Sequence, residues 1–331
     1  MLKTILRTAI IATALLPGIA TQTHAQTGAP AGYPSKPVSL VVPFTSGGPN
    51  DEEFRLFLPR IQESMKQSFV FDFKPGAAST IGTAYAAKAA PDGHTLLLTN
   101  GSITIHPNFY PDLAYKVPDS FEPVIQMTER YTVLIASVAA LPDVHNVQDL
   151  IAWAKANPGA LNCGTAGAGG ISHIACVALS AAAGIPIAPI HYKGVSQGLI
   201  DVLAGRTQLT AGTIFVAQGG IKSGKLRPIL ALNAVRSKIY PELKTAMEQG
   251  LDVEYPTWLG VFAPAGTPQA IVRRLNSEFA TAARMPDTMA RLEAQGTFVV
   301  AASPEAFRKK VVGESTRWSR IIREKGITSG E

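Results

Sequence analysis

The amino-acid sequence predicts an α/β protein in which helices cover both faces of mostly parallel sheets. Short apolar runs alternate with helix-like stretches along the chain, which is the pattern of parallel strands joined by helical crossovers. A Gly-rich turn joins a predicted strand to a predicted helix at two places. The length of 331 residues exceeds what one hydrophobic core usually covers, so we expect two domains.

The strands and helices are predicted from the spacing of apolar residues. Strands are predicted at 38–42, 69–73, 95–98, 133–137, 229–232 and 259–263. Helices are predicted at 51–67, 80–89, 147–156, 172–183, 196–204, 268–283 and 304–324. Pro59 lies inside the first helix and is expected to kink it. Asn50 followed by Glu53 predicts a capping box at its start.

The two Gly-rich turns are the main functional signal. One follows strand 38–42 and covers residues 44–51, and the other covers residues 164–172. A Gly-rich loop that ends at a helix start presents unpaired N–H groups and the positive end of the helix dipole. Two such turns facing each other would bind an anion without a metal or a cofactor. Ligands of α/β sheets lie beyond the carboxyl ends of strands, where loops 100–107, 191–196 and 211–217 also fall.

Several enzyme and cofactor motifs are incomplete. Residues 194–198 match the G-x-S-x-G nucleophile elbow around Ser196, but all six histidines precede that serine, whereas hydrolases of this kind place the histidine after it. Residues 167–172 approach a dinucleotide fingerprint, with Ser172 where the third glycine belongs and no acidic residue near 189–193. No metal-binding motif is present. An exported hydrolase or lyase using Ser196 or His173 is the rival hypothesis from another functional class.

Residues 1–25 have the pattern of a secretory signal peptide. Lys3 and Arg7 precede an apolar stretch at 9–16, and small residues at 23–25 suit cleavage. We therefore expect an exported protein, with an uncleaved anchor as the alternative. Removing the two basic residues lowers the formal charge from +6 to +4, and the remaining positive charge is scattered, so nucleic acid is not an expected partner.

The sequence contains two cysteines, Cys163 and Cys176. In an oxidising compartment we expect them to form a disulfide between the end of a strand and the following helix, with two buried free thiols as the alternative. Closing so short a loop would stabilise the fold by roughly 3 kcal/mol in the chain-entropy model. Their spacing matches no zinc-binding pattern.

Several segments resemble the tripartite tricarboxylate transporter solute receptors, the Bug family. They occur in the same order over nearly the whole mature chain: 33–38, 42–44, 47–48 with Asp51, 74–77, 89–96, 108–110, 156–159, 172–173, 192–194, 223–227 and 262–268. The resemblance implies a type II-like periplasmic binding protein of two α/β lobes joined by a double crossover. Lobe 1 would comprise 33–130 and 254–331, and lobe 2 would comprise 131–253.

The resemblance also implies an organic carboxylate held between the lobes by residues 44–51 and 166–173. The receptor would be a monomer that delivers its ligand to membrane permease subunits, while a sensor partner of a receptor kinase remains an alternative. Aromatic dicarboxylates such as terephthalate suit two facing helix starts, as do citrate-like and aliphatic acids. Glu52 and Glu53 would oppose an anionic ligand unless they point outward.

The predicted ligand-binding residues combine both loops with polar residues at other strand ends. They are Phe44, Thr45, Ser46, Gly47, Gly48, Asn50, Asn100, Ser102, Ala166, Gly167, Gly169, Gly170, Ser172, His173, Lys193, Thr213 and Trp258. His173 would either line the cleft or pack beside the loop, and Lys193 would add positive charge. Phe44, Phe215 and Trp258 would flank an aromatic ring or pack in the core.

Overall fold

In a computed structural model, residues 32–167, 169–192, 195–255 and 257–324 are described, and their strands form two sheets. The six strands of the first sheet are β1 (Val38–Val42), β2 (Phe69–Phe73), β3 (Thr95–Asn100), β4 (Phe121–Arg130), β10 (Thr257–Pro264) and β11 (Thr297–Val299). The five of the second are β5 (Thr132–Ser137), β6 (Asn162–Thr165), β7 (Ala188–His191), β8 (Leu209–Thr213) and β9 (Leu226–Ala231).

Helices connect these strands and cover both sheets. Those before β5 are α1 (Pro49–Arg55), α2 (Leu58–Met65), α3 (Thr80–Ala87) and α4 (His106–Phe109). Those between β5 and β9 are α5 (Val147–Ala156), α6 (Ile171–Ala183), α7 (Val195–Leu203) and α8 (Ile214–Lys222). The last are α9 (Gln269–Ala283), α10 (Pro286–Glu293) and α11 (Pro304–Glu324). Short 3-10 turns lie at Ala77–Ser79, Gly101–Thr104 and Met247–Gln249.

The two α/β lobes agree with the predicted fold class, but the strand pairing is more mixed than predicted. In the first sheet β1 is parallel to β2 and β3, whereas β10 is antiparallel to β3 and β4. In the second, β6 is parallel to β7 and β8, whereas β5 is antiparallel to β8 and β9. These antiparallel pairs involve β4, β5 and β10. The chain leaves the first sheet after β4, enters the second at β5, and returns to the first at β10.

The predicted helix 51–67 is two helices. α1 ends at Arg55 and α2 begins at Leu58, with Pro59 in the first turn of α2. A proline in the first turn removes no intrahelical hydrogen bond, because the N–H groups there have no partner within the helix. Pro59 therefore starts a new helix instead of kinking a continuous one.

Buried side chains cover both faces of the first sheet. One face packs Phe54, Phe57 and Phe279, and the other packs Trp258 and Phe307. Helix α11 begins on the second of these faces, but its far end reaches a different core, where Trp318 and Ile322 pack with residues of α5 and α6. This helix therefore packs against both lobes, although the predicted boundaries assign all of it to lobe 1. Those residue boundaries remain predictions.

The described structure contains the disulfide between Cys163 and Cys176. It links β6 to α6, and both cysteines are buried in the core of the second lobe. The Gly-rich loop that joins this strand to this helix is therefore anchored covalently on both sides. Within the described residues, no helix is both long and apolar enough to cross a membrane.

Glycine at position 82 allows α3 to lie against the start of the first Gly-rich loop. A Cβ atom at Gly82 would lie 2.6 Å from the carbonyl oxygen of Lys74 and 2.8 Å from Cβ of Pro43. Gly82→Ala is therefore expected to lower the free energy of unfolding by about 1–3 kcal/mol, because a backbone oxygen cannot move away cheaply. Urea unfolding followed by circular dichroism measures this.

Gly313→Ala is the matched control for this prediction. Gly313 also lies within a helix, α11, and a Cβ atom there meets nothing within 4 Å. That variant is expected to gain about 0.5–1 kcal/mol, because alanine favours helix more than glycine does. Equal effects of the two substitutions would contradict the close packing of α3 on Pro43.

Candidate functional site

The two loops predicted to bind the ligand leave the carboxyl ends of β1 and β6. Loop 43–48 follows Val42, and loop 166–170 follows Thr165. Strand β3 is parallel to β1 and ends at Asn100, while β8 is parallel to β6 and ends at Thr213. Each loop therefore lies at the edge of its sheet where α/β proteins bind ligands.

The first loop is exposed and is held by the carboxylate of Asp51. Thr45, Ser46 and Gly47 are exposed, and the N–H group of Gly47, with φ of +76°, donates to Oδ2 of Asp51 at 3.2 Å. Gly48 is the N-cap of α1 and provides no side-chain cap. A glycine N-cap leaves the first N–H groups of the helix to other acceptors. The exposed hydroxyls of Thr45 and Ser46 are further donors.

The predicted capping box is wrong, because Arg130 binds both Asn50 and Glu53. Nε of Arg130 lies 2.6 Å from Oε2 of Glu53, and Nη1 donates to Oδ1 of Asn50 at 2.9 Å. The hydroxyl of Thr128 donates to the other carboxylate oxygen. All four side chains are buried. Glu53 is therefore paired inside the fold, and the adjacent Glu52 is exposed.

The second loop is closed by side chains from the first turn of α6. The N–H group of Ala166 donates to the hydroxyl of Ser172 at 2.9 Å, and that of Gly169 donates to Nδ1 of His173 at 3.0 Å. Gly167 and Gly169 have φ of +115° and +71°, which other residues rarely adopt. These glycines permit a turn tight enough for α6 to close it.

Ser172 and His173 accept hydrogen bonds from the loop, and each side chain still has one polar hydrogen that it can donate to another group. The Ser172 hydroxyl accepts from the loop, so its hydrogen is free to point elsewhere. His173 accepts at Nδ1, which places the hydrogen of a neutral imidazole on Nε2. Burial, together with the neighbouring His191, lowers the pKa of His173 to about 4. Both side chains are therefore uncharged donors near pH 7.

The two other predicted residues of the second lobe that the structure describes, Gly170 and Thr213, are N-caps of helices. Gly170 is the N-cap of α6, and its N–H group donates to the carbonyl of Gly167 at 3.2 Å. Thr213 is half-buried and is the N-cap of α8. Lys193 lies outside the described residues.

In the first lobe, the structure places the predicted Asn100 and Ser102 beside Ser79, His106 and Tyr115, which were not among the predicted site residues. Asn100 accepts from the N–H group of Ser102 at 3.0 Å, as an N-cap does. The hydroxyl of Ser79 lies 3.4 Å from that of Ser102 and 3.2 Å from Nε2 of His106. Nδ1 of His106 lies 2.6 Å from the hydroxyl of Tyr115. Ser79 is 23 residues from Ser102 and 27 from His106, and these residues form no motif, so no sequence signal could have found their contacts.

The aromatic residues predicted to flank a ligand differ in exposure. Trp258 is fully buried, its indole N–H donates to Oε2 of Glu314 at 2.9 Å, and its ring meets Phe307 edge-on at 5.1 Å. Phe44 is half-buried against the core, and Phe215 is exposed. In this structure Trp258 packs in the core, and its contact with a ligand stays a prediction.

A cavity of about 230 Å³ lies where both lobes meet α11. It is lined by Gly101, Ile171, Glu254, Tyr255, Thr257, Lys310, Gly313, Glu314, Arg317 and Trp318. A smaller cavity of about 60 Å³ lies between α1 and α8, with Arg130 and Thr213 in its wall. Among the described residues, no group of three or more His, Cys, Asp or Glu side chains is placed to hold a metal ion.

A family model described as the tripartite tricarboxylate transporter family receptor matches residues 54–327. The chain belongs to this receptor family. Receptors of this family are periplasmic solute-binding proteins that work with the membrane components of a tripartite transporter, and they are not enzymes. The rival hypothesis of a hydrolase using Ser196 is therefore wrong.

Three solved structures show what this receptor resembles. The periplasmic binding protein BugD is 29% identical, with a TM-score of 0.79 over 89% of this chain and 99% of BugD. A protein of R. palustris solved with adipate is 30% identical, with a TM-score of 0.81 over 89% and 99% of the two chains. MatC from Rhodopseudomonas palustris, solved with bound malate, is 28% identical, with a TM-score of 0.78 over 88% and 100%.

Proposed function

We propose that this receptor captures a small dicarboxylate between its lobes in the periplasm and delivers it to the membrane subunits of a tripartite transporter. The observation that carries this proposal is the way α6 closes the second loop. Ser172 and His173 each use an acceptor atom for the loop and retain a hydrogen to donate. An uncharged set of donors suits a carboxylate, which only accepts hydrogen bonds.

The chemistry of the ligands in the related structures supports this class of solute. Adipate and malate, the solutes in two of those structures, both carry two carboxylate groups. A dicarboxylate would place one group at the second loop and the other at the first, where Thr45 and Ser46 are exposed. An aromatic diacid such as terephthalate is the finer proposal. The half-buried ring of Phe109 beside His173, with 6.1 Å between ring centroids, offers an apolar surface for it.

The remaining parts of the proposal concern export and delivery. Residues 1–25, which lie outside the described part of the chain, would be removed as a signal peptide. The mature receptor would act as a monomer, and ligand contacts to both lobes would favour the closed arrangement. Closure would be the state that the membrane subunits recognise.

A thermal-shift screen of carboxylic acids tests the proposal. Adipate, malate, citrate and terephthalate are compared with neutral sugars and with the diamides of the same acids. A ligand at 100 times its dissociation constant adds about 2.7 kcal/mol to the free energy of unfolding, which raises the melting temperature measurably. Shifts from sugars or diamides but from none of the acids would exclude a carboxylate receptor.

Gly169→Val and Gly184→Val form a matched pair that tests the loop itself. Both glycines flank α6 with positive φ, +71° and +63°, so both variants carry similar backbone strain. A Cβ atom at Gly169 would lie 3.5 Å from Phe109, whereas one at Gly184 meets nothing within 4 Å. We expect only Gly169→Val to weaken binding of the acid that gives the largest shift. Equal affinities would remove the second loop from the site.

A further inference from the structure

A chain of buried polar side chains leads from Tyr115 to the edge of the first sheet. The Tyr115 hydroxyl lies 2.6 Å from Nδ1 of His106, and Nε2 of the same ring lies 3.2 Å from the hydroxyl of Ser79. Ser102 follows at 3.4 Å from Ser79. All four residues are at most 5% exposed. Buried polar side chains of this kind fix one another's orientation, because each has few alternative hydrogen-bond partners.

Ser79 lies where the first loop leaves the sheet. The N–H group of Lys74 donates to the carbonyl of Val42, the last residue of β1, at 2.9 Å. Helix α3, which begins directly after Ser79, rests on Pro43 through Gly82. Ser79 and Ser102 therefore border the carboxyl ends of β1 and β3, beside the loop that begins at Pro43.

The backbone that carries Ser79 is strained. Ala77, Ala78 and Ser79 have φ of 44°, 49° and 77°, in the left-handed region that side chains with a Cβ rarely adopt. Consecutive residues in this region persist only where their surroundings hold them, and such strain concentrates at ligand sites. The hydrogen bonds to Ser79 are one part of what holds this turn.

The direction of the hydrogen bonds follows from the protonation of the two rings. Burial raises the pKa of Tyr115, so its phenol keeps a hydrogen to donate. Burial lowers the pKa of His106 to about 4, so the imidazole has one N–H group. The Tyr115 phenol is assigned as the donor to Nδ1, which leaves the single N–H of the imidazole on Nε2, the nitrogen facing Ser79.

We propose that Tyr115 and His106 are positioning residues that fix the Ser79 hydroxyl as a donor toward a ligand carboxylate. Tyr115 donates to His106, His106 donates toward Ser79, and the hydrogen of Ser79 is left to point to Ser102 or into the cleft. This inference rests on the proposed function and deepens it. A hydroxyl fixed as a donor favours a carboxylate oxygen and disfavours an amide NH₂ group at the same place.

Calorimetric titration of Tyr115→Phe with adipate and with its monoamide tests the proposal. Loss of the phenol hydrogen allows His106 to take the other tautomer and to accept from Ser79. We expect adipate to bind about tenfold more weakly, and the preference over the monoamide to shrink. Tyr110→Phe is the matched control, since Tyr110 meets the same imidazole edge-on at 6.1 Å, and its affinities are expected to stay unchanged.

Two further measurements test the inference even if Tyr115→Phe does not fold. Ser79→Ala is expected to lose as much affinity as Tyr115→Phe, and the double variant no more than either, because both changes remove the same donated hydrogen bond. Nitrogen-15 NMR of the wild-type protein should find His106 in the Nε2–H form. An Nδ1–H ring, or unchanged adipate affinity in Ser79→Ala, would overturn the inference while leaving the carboxylate receptor intact. Wild-type protein that binds no carboxylate would overturn both.

Discussion

Arg130→Met is expected to lower the free energy of unfolding by about 3–5 kcal/mol. The guanidinium lies 2.6 Å from Glu53, donates to Asn50, and donates to the carbonyl of Pro49 at 3.1 Å. The side chains of Arg130 and Glu53 are each 5% exposed, so removing the cation leaves a carboxylate buried without its partner. Urea unfolding of the variant and the wild type at pH 7 measures the difference.

Arg308, which pairs with a glutamate of the strand that contains Arg130, provides the control. Arg308 donates to Glu122 of β4 at 2.7 Å, but its side chain is 41% exposed. Arg308→Met is therefore expected to cost less than about 1 kcal/mol. The double variant Glu53→Gln, Arg130→Met should recover much of the loss, because it also removes the stranded charge. Wild-type stability in Arg130→Met would show that the pair contributes nothing to the fold.

The position of Arg130 connects this stability to ligand binding. Arg130 is the last residue of β4, and β5 of the other sheet begins at Thr132. Its hydrogen bonds to Pro49 and Asn50 hold the start of α1, directly after the first loop. A crossover between the lobes and one of the two predicted ligand loops therefore share a buried ion pair.

Much of the fold could be predicted because its signals are local. Apolar runs such as 38–42 and 69–73 and the helical spacing of 147–156 describe elements that the structure contains with the same bounds. Strand β4 could not be predicted in this way, since Glu122, Gln126 and Glu129 interrupt its apolar pattern. Glu122 pairs with Arg308 and Glu129 pairs with Lys310, both in α11, and single-sequence patterns do not contain that information.

The local geometry of the second candidate loop was predictable to the same extent. Gly167 and Gly169 indicated a tight turn before a helix, and the structure contains that turn. The partners of Glu53 and Ser79 were not predictable, because Arg130 is 77 residues from Glu53 and His106 is 27 residues from Ser79. The carboxylate of Glu53 could accept either from a helix N-terminus, as in a capping box, or from a distant arginine. In this structure it accepts from Arg130, because a hydrogen bond between opposite charges is the stronger one.

Trp258→Ala is expected to cost about 3–5 kcal/mol, comparable to the loss of Arg130. The indole is fully buried and meets Phe307 and Phe262 with centroid distances of 5.1 and 6.3 Å. Its removal leaves a cavity in the core between the first sheet and α11. Trp258→Phe should retain most of the packing and lose chiefly the hydrogen bond from the indole N–H to Glu314. Unfolding of both variants separates the two contributions.

The cost of Trp258→Phe is expected to depend on pH through Glu314. Burial raises the pKa of Glu314, while Lys310 and the indole N–H oppose that rise. Losing the indole N–H raises this pKa further. Below pH of about 4.3 Glu314 is protonated in both the folded and the unfolded state, so Trp258→Phe should lower the free energy of unfolding only slightly there. The loss should grow as the pH rises through the pKa of Glu314 in the folded protein. Adding Glu314→Gln should remove this dependence. If Trp258→Phe instead keeps its stability at every pH but weakens dicarboxylate binding tenfold, Trp258 is a ligand contact, as the sequence predicts, and the packing role is wrong.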